Sequence, residues 1–175
     1  MATILPWTGA EVQKIIDGRL HSPIQDVVGD NYTVGSPLAV SASTEYDFVS
    51  NGNVRNFKVF PDHITNIWDT STNIATFSGF ENTPEIVANV SFMWDPDVAA
   101  AGIMTVKVYV NETSPILIKE TNIDYKATTG KLTGLLTFYA GDVTGFDVKN
   151  KGVSFKIESS AAGNLYDPSI EIYRT

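Results

Sequence analysis

An all-β sandwich preceded by a short helical segment is the fold class that this 175-residue sequence predicts. Three observations carry the expectation. Residues 85–95 alternate strictly, with Ile86, Ala88, Val90, Phe92 and Trp94 on one side and Val87, Asn89, Ser91, Met93 and Asp95 on the other. A period of two is what a half-buried strand requires, because successive Cβ atoms leave opposite faces. Residues 103–111 repeat it, with Met104, Val106, Val108 and Val110 set against Thr105, Lys107, Tyr109 and Asn111. Along most of the chain, strand-like runs recur about every 10–15 residues with turn residues between them, the spacing of a sandwich.

In chain order, residues 1–20 differ in kind from the rest. Thr8 and Glu11 form a capping box, so a helix is expected from Gly9 or Ala10, and Gly18 provides its stop. Val12, Ile15 and Ile16 make one apolar stripe, and Pro6-Trp7 adds a large apolar surface just before it. So short a helix is not stable alone in water and must dock on something. Two covers are open: its own domain, or another protein. Residues 21–35 read as a linker punctuated by Pro23, Gly29, Asp30, Asn31 and Gly35, which divides the chain into an N-terminal segment, 1–35, and a β domain, 36–175.

Within the β domain, runs are expected over 38–43, 46–49, 56–61, 64–68 and 74–80, with an Asn51-Gly52-Asn53 turn after the second. Asp95-Pro96-Asp97 ends the central alternating strand, since proline cannot donate to a ladder and Asp favours turns. Runs over 116–121, 123–126 and 132–139 follow, with a corner at Thr129-Gly130. Val153, Phe155 and Ile157 point inward in the next. The last run, 170–173, follows a turn at Asn164 and Asp167-Pro168 and reads as a strand tied into the sheet. A single helical turn is expected near 98–101.

Composition narrows the function. A net charge of −8 and a pI near 4.6 argue against nucleic acid and anionic bilayers, whose phosphates require basic surface. The absence of cysteine removes disulfides, thiolate metal sites and cysteine nucleophiles. The N-terminus has neither the basic start nor the apolar core of a secretory signal, and no apolar run is long enough to insert in a membrane. Sequons at Asn31, Asn89 and Asn111 matter only on a eukaryotic secretory route. Sequence patterns for a nucleophile elbow, zinc protease, phosphate loop or calcium loop are missing. His21 and His63 are the only histidines, and His63 sits in a turn where a solvated or capping role outweighs ligation. Asp95, Asp97 and Asp142 could offer oxygens to a cation, although Asp-Pro turns are ordinarily only turns. Tyr109, Tyr125 and Tyr139 could form a sugar-binding surface, but β propensity alone explains them. No paired carboxylates stand out for a polysaccharide hydrolase. No enzyme, cofactor or required metal is expected.

The runs VSASTEYDF at 40–48 and NTPEIVANVSFMWDPDVAAAGIMTVKVYVNE at 82–112, with the strand-terminated C-terminus, resemble virion proteins carrying a C1q/tumour-necrosis-factor-like jelly roll. PWTGAEVQKIIDG at 6–18 is similar to the short helical openings of bacteriophage structural proteins. The resemblance covers roughly residues 40–175 and is one of pattern. It implies an antiparallel jelly-roll sandwich, a homotrimer, and a place on the virion surface after assembly in the host cytoplasm. The function expected is that of a capsid spike, head fibre or decoration protein. Pro6, Trp7, Val12, Ile15 and Ile16 would dock it to other virion proteins while the jelly roll projects. The alternative is a tail-fibre tip, a host-attachment module that recognises a cell-surface glycan or protein. A secreted C1q-like module is the third reading. With no heptads and no collagen repeat, the trimer would be a short spike held by the jelly roll and the N-terminal segments.

Overall fold

The computed structural model describes residues 25–28, 32–48, 53–56, 67–78, 85–143 and 146–174. They form two packed antiparallel sheets. Sheet I has the order β10 (Gly130–Tyr139), β7 (Glu85–Pro96), β14 (Gly163–Arg174), β1 (Gln25–Val28), β4 (Asn53–Asn56), with β2 (Leu38–Val40) also paired to β14. Sheet II runs β5 (Trp68–Asp69), β6 (Ile74–Ala75), β13 (Val153–Ser159), β8 (Gly102–Val110), β9 (Ile116–Tyr125), with β3 (Glu45–Asp47) also on β13. A two-stranded ribbon of β11 (Asp142–Val143) and β12 (Phe146–Asp147) lies beside them. Central strands β7 and β8 lie in opposite sheets, so the corner at 97–101 carries the chain across the sandwich. The chain crosses back between β9 and β10 and again between β13 and β14, the alternation of a jelly roll.

The alternation read from the sequence is the burial pattern observed. Ile86, Ala88, Val90, Phe92 and Trp94 face Met104, Val106, Val108 and Val110 across the core, each exposed by 1% or less. Val153, Phe155 and Ile157 join them from β13, and Leu165, Ile170 and Ile172 from β14. Aromatic rings fill the space between the sheets: Phe48 meets Phe92 edge-on at 5.4 Å, and Phe77 meets Phe138 at 6.0 Å. Such contacts add to what area burial supplies. Gly134 brings the two sheet edges together on one side. A β-carbon there would lie 2.7 Å from Ile123 Cδ1, so a larger residue would require the Ile123 side chain on β9 to shift.

Several details differ from the sequence reading. The span 21–35, expected as a linker, contributes β1, so sheet I begins ahead of residue 36. Residues 116–125 form one strand, not two. Asp167-Pro168 is not a turn before the last strand but an irregularity within it, between Tyr166 and Ser169. Proline cannot donate to the ladder, and Asp tolerates the left-handed backbone found at Asp167 (φ 50°). The displaced Asp167 N–H donates to the Tyr32 carbonyl at 2.7 Å. Residues 98–101 carry no helical turn; the one short helix described is α1 (Val148–Lys151). Asp147 caps it by accepting from the Asn150 N–H at 3.0 Å, and Gly152 ends it at φ 73°.

Candidate assembly face

Each sheet has one face in the core and one turned outward, and the two outward faces differ in chemistry. On sheet I, cross-strand register stacks the outward residues in rows. Thr137, Val87 and Tyr173 form one; Leu135, Asn89 and Glu171 the next; then Thr133, Ser91 and Ser169; then Lys131, Met93 and Tyr166. Tyr139 and Glu85 close one end. The face is thus largely neutral, with aliphatic and aromatic side chains spread across three strands. Leu135 is 59% exposed and Tyr139 57% in the protomer, while Val87, Met93, Tyr166 and Tyr173 are half-buried. Asn89 Nδ2 donates to Glu171 Oε2 at 2.9 Å, and the Tyr173 hydroxyl donates to the same oxygen at 3.0 Å.

Sheet II presents the opposite. Lys107 Nζ lies 2.6 Å from both Glu45 Oε1 and Glu158 Oε2, tying three strands together. The Tyr109 hydroxyl donates to Glu45 at 2.7 Å, Lys156 pairs with Asp47 at 3.4 Å, and Thr105 donates to Asn122 at 2.9 Å. Hydrogen bonds from Lys107 and then Tyr109 hold the Glu45 carboxyl below its ordinary range. Hydrogen bonds to Glu158 and then Glu45 push the Lys107 ammonium up. Ile103 and Leu117 are also exposed on this face, among the paired ions.

The ion network carries a pH signature. With its folded pKa lowered, Glu45 contributes stability above about pH 5 that is lost as pH falls through the folded value. With its folded pKa raised, Lys107 contributes below about pH 10, and that is lost as pH rises through its folded value. The carboxylates are about one-third exposed, so solvent screening keeps the effect small. Lys107→Met should cost about 1 kcal/mol at neutral pH. Urea unfolding should show that cost shrinking toward zero at pH 3; an equal cost at both pH values would remove the ionic explanation.

Other candidates read from the sequence are dispersed by the fold. Pro6, Trp7, Val12, Ile15 and Ile16, and both histidines, lie outside the described residues. The three tyrosines share no surface: Tyr125 is buried, Tyr109 is bound to Glu45 on sheet II, and Tyr139 lies on sheet I. Asp95 accepts from Thr129 and Asp97 from Asn164 at 3.3 Å; both serve their turns. Among the described residues, no group of three or more His, Asp or Glu is placed to hold a metal ion. A cleft of about 240 Å³ opens at the β9–β10 turn beside Trp94 and Tyr125. Its polar lining is Asp124, Tyr125, Lys126, Thr128 and Lys131. Sequence reading found the outward positions Val87 and Met93 but missed the extent of the face, because Leu135, Tyr166 and Tyr173 reach it only through strand pairing.

No protein-family model matches the sequence, and no curated protein matches it either. The fold is similar to that of the Eiger TNF from S. frugiperda, with a TM-score of 0.52 and 8% sequence identity over 89% of this chain and 94% of that one. The chain therefore has a TNF-like jelly-roll fold.

Proposed function

We propose that this chain is a non-enzymatic structural protein of a bacteriophage particle: a homotrimeric spike, head fibre or decoration protein on the virion surface. The observation that carries the reading is the asymmetry of the two outward faces. Sheet II centres on the paired ions of Lys107 with only Ile103 and Leu117 as large exposed apolar residues on its described strands, whereas sheet I sets Val87, Met93, Leu135, Tyr139, Tyr166 and Tyr173 on one surface. Aliphatic and aromatic side chains set among neutral polar rows on one sheet face favour a protein partner, and a second copy of the chain covers them without any further component. A trimer is in keeping with the fold. The virion assignment rests on the sequence resemblance, with residues 1–20 as the docking element and the jelly roll projecting.

Sedimentation velocity at micromolar concentration tests the assembly: a trimer is expected, and a monomer would sink the reading. Leu135→Glu supplies the mutational test. Its side chain is 59% exposed on edge strand β10, so the protomer should fold with an unchanged circular dichroism spectrum. An unpaired charge covered by a partner would cost several kcal/mol and should shift the variant to monomer. A variant that sediments like the parent would show that this face is not the contact.

A further inference from the structure

Glu171 is the one charged group in the middle of the sheet I face, and its surroundings point to a role in controlling assembly. Asn89 and Tyr173 each donate to the same carboxylate oxygen, fixing the side chain against the sheet. Along its row lie Asn89 and then Leu135, neither of them cationic; the next row brings Val87 and Tyr173. Backbone register continues the Glu171 row in the other direction through Asp26 of β1 to Arg55 of β4. The nearest register position on that side is therefore another acid, and the basic residue lies one strand beyond it. Lys131, the other cation of the face, is two rows away beside Met93, and Glu85 is at the opposite end.

We propose that self-association through this face is linked to proton uptake at Glu171, so that the assembly tightens as pH falls. This rests on the reading of sheet I as the association face. In the free protomer the carboxylate is half-buried and in contact with water. Covering the face removes that water and leaves two neutral hydrogen-bond donors. Desolvation raises a carboxyl pKa by as much as 3–5 units in a fully buried site. The two donors oppose this but contribute less than full hydration. The folded, assembled protein therefore binds one more proton per covered Glu171 than the separated protomers. Association is favoured below the raised pKa and weakens as pH rises through it.

The net charge of −8 also makes protomers repel less as pH approaches the pI, so the test separates the local effect from the general one. Association constants are measured by sedimentation from pH 5 to pH 8 for the full chain, for Glu171→Gln and for Glu120→Gln. Glu120 faces outward on sheet II, in register with Lys107, and gives the same change of charge away from the face. Expected is a fall of about tenfold or more for the parent chain and Glu120→Gln, and a clearly flatter profile for Glu171→Gln. A Glu171→Gln profile parallel to the parent overturns the proposal. So does a parent profile that is flat across the range, which would leave the association face itself standing. A chain monomeric at every pH removes the face and the proposal together. Dilution calorimetry on the parent chain in two buffers of different ionisation enthalpy gives a readout independent of any variant. Zero proton uptake at pH 6.5 would also overturn the linkage.

Discussion

Trp94→Ala is expected to cost about 3–5 kcal/mol, the range for removing a large aromatic from a close-packed core. Trp94 is fully buried near the end of β7, its ring 5.6 Å from that of Tyr125 across the sandwich. Gly163 makes room for it: a β-carbon there would lie 2.6 Å from Trp94 Cζ2. That glycine cannot fill the hole left by alanine, so the site collapses poorly and the loss falls toward the upper end. For a domain of this size the melting temperature should drop by roughly 10 °C or more. Trp94→Phe is the informative companion. The indole Nε1 meets no hydrogen-bond acceptor among the described residues, and an unsatisfied buried donor costs about 1–3 kcal/mol. Phenylalanine removes that donor along with part of the ring, so its net cost should be well below that of alanine. Calorimetry on both variants checks the pair. A Trp94→Ala midpoint within 3 °C of the parent would mean that this end of the sandwich is not tightly packed.

How far such features can be read from sequence depends on whether they are local. The inward residues of β7, β8 and β13 were readable because alternation is a property of consecutive residues, and burial enforces it on both sheets. The single strand β9 was harder: its register slips between Val108 and Tyr109 on β8, which blurs the period around Ile118. Asp167-Pro168 carries the chemistry of a turn, and only the flanking pairings to β7, β2 and β1 show that the strand continues through it. Val148–Lys151 is too short for periodicity to reveal, although Asp147 before it and Gly152 after it are ordinary cap signals. The Glu45–Lys107–Glu158 network joins residues 62 and 51 positions apart, and the apolar face of sheet I gathers residues from 87 to 173. Sequence can supply the members of such groups, but strand order decides which of them meet.

Strand β1 sharpens the expected result of truncating the N-terminus. Residues 1–20 hold Pro6, Trp7 and the Val12, Ile15 and Ile16 stripe on which docking to the particle is proposed to depend. The sheet begins at Gln25, so removing 1–20 takes away no described strand and should leave the domain folded. Removing 1–30 is a different operation. It deletes β1, which pairs with Ser169–Ile172 of β14 on one side and with β4 on the other. That loss detaches β4 from sheet I and leaves part of β14 as an unpaired edge, an invitation to non-native pairing. Deletion of 1–20 should therefore keep the melting transition and abolish attachment, whereas deletion of 1–30 should lower the melting temperature and promote aggregation. Trp7→Ala should weaken attachment by about 1–4 kcal/mol if the ring fills a partner pocket, because buried aromatics dominate interface energetics. The measurement is co-sedimentation of each variant with particles that lack the protein, alongside thermal unfolding. Full binding by the 1–20 deletion would eliminate docking through that segment, and an unfolded product would place residues 1–20 in the support of their own domain.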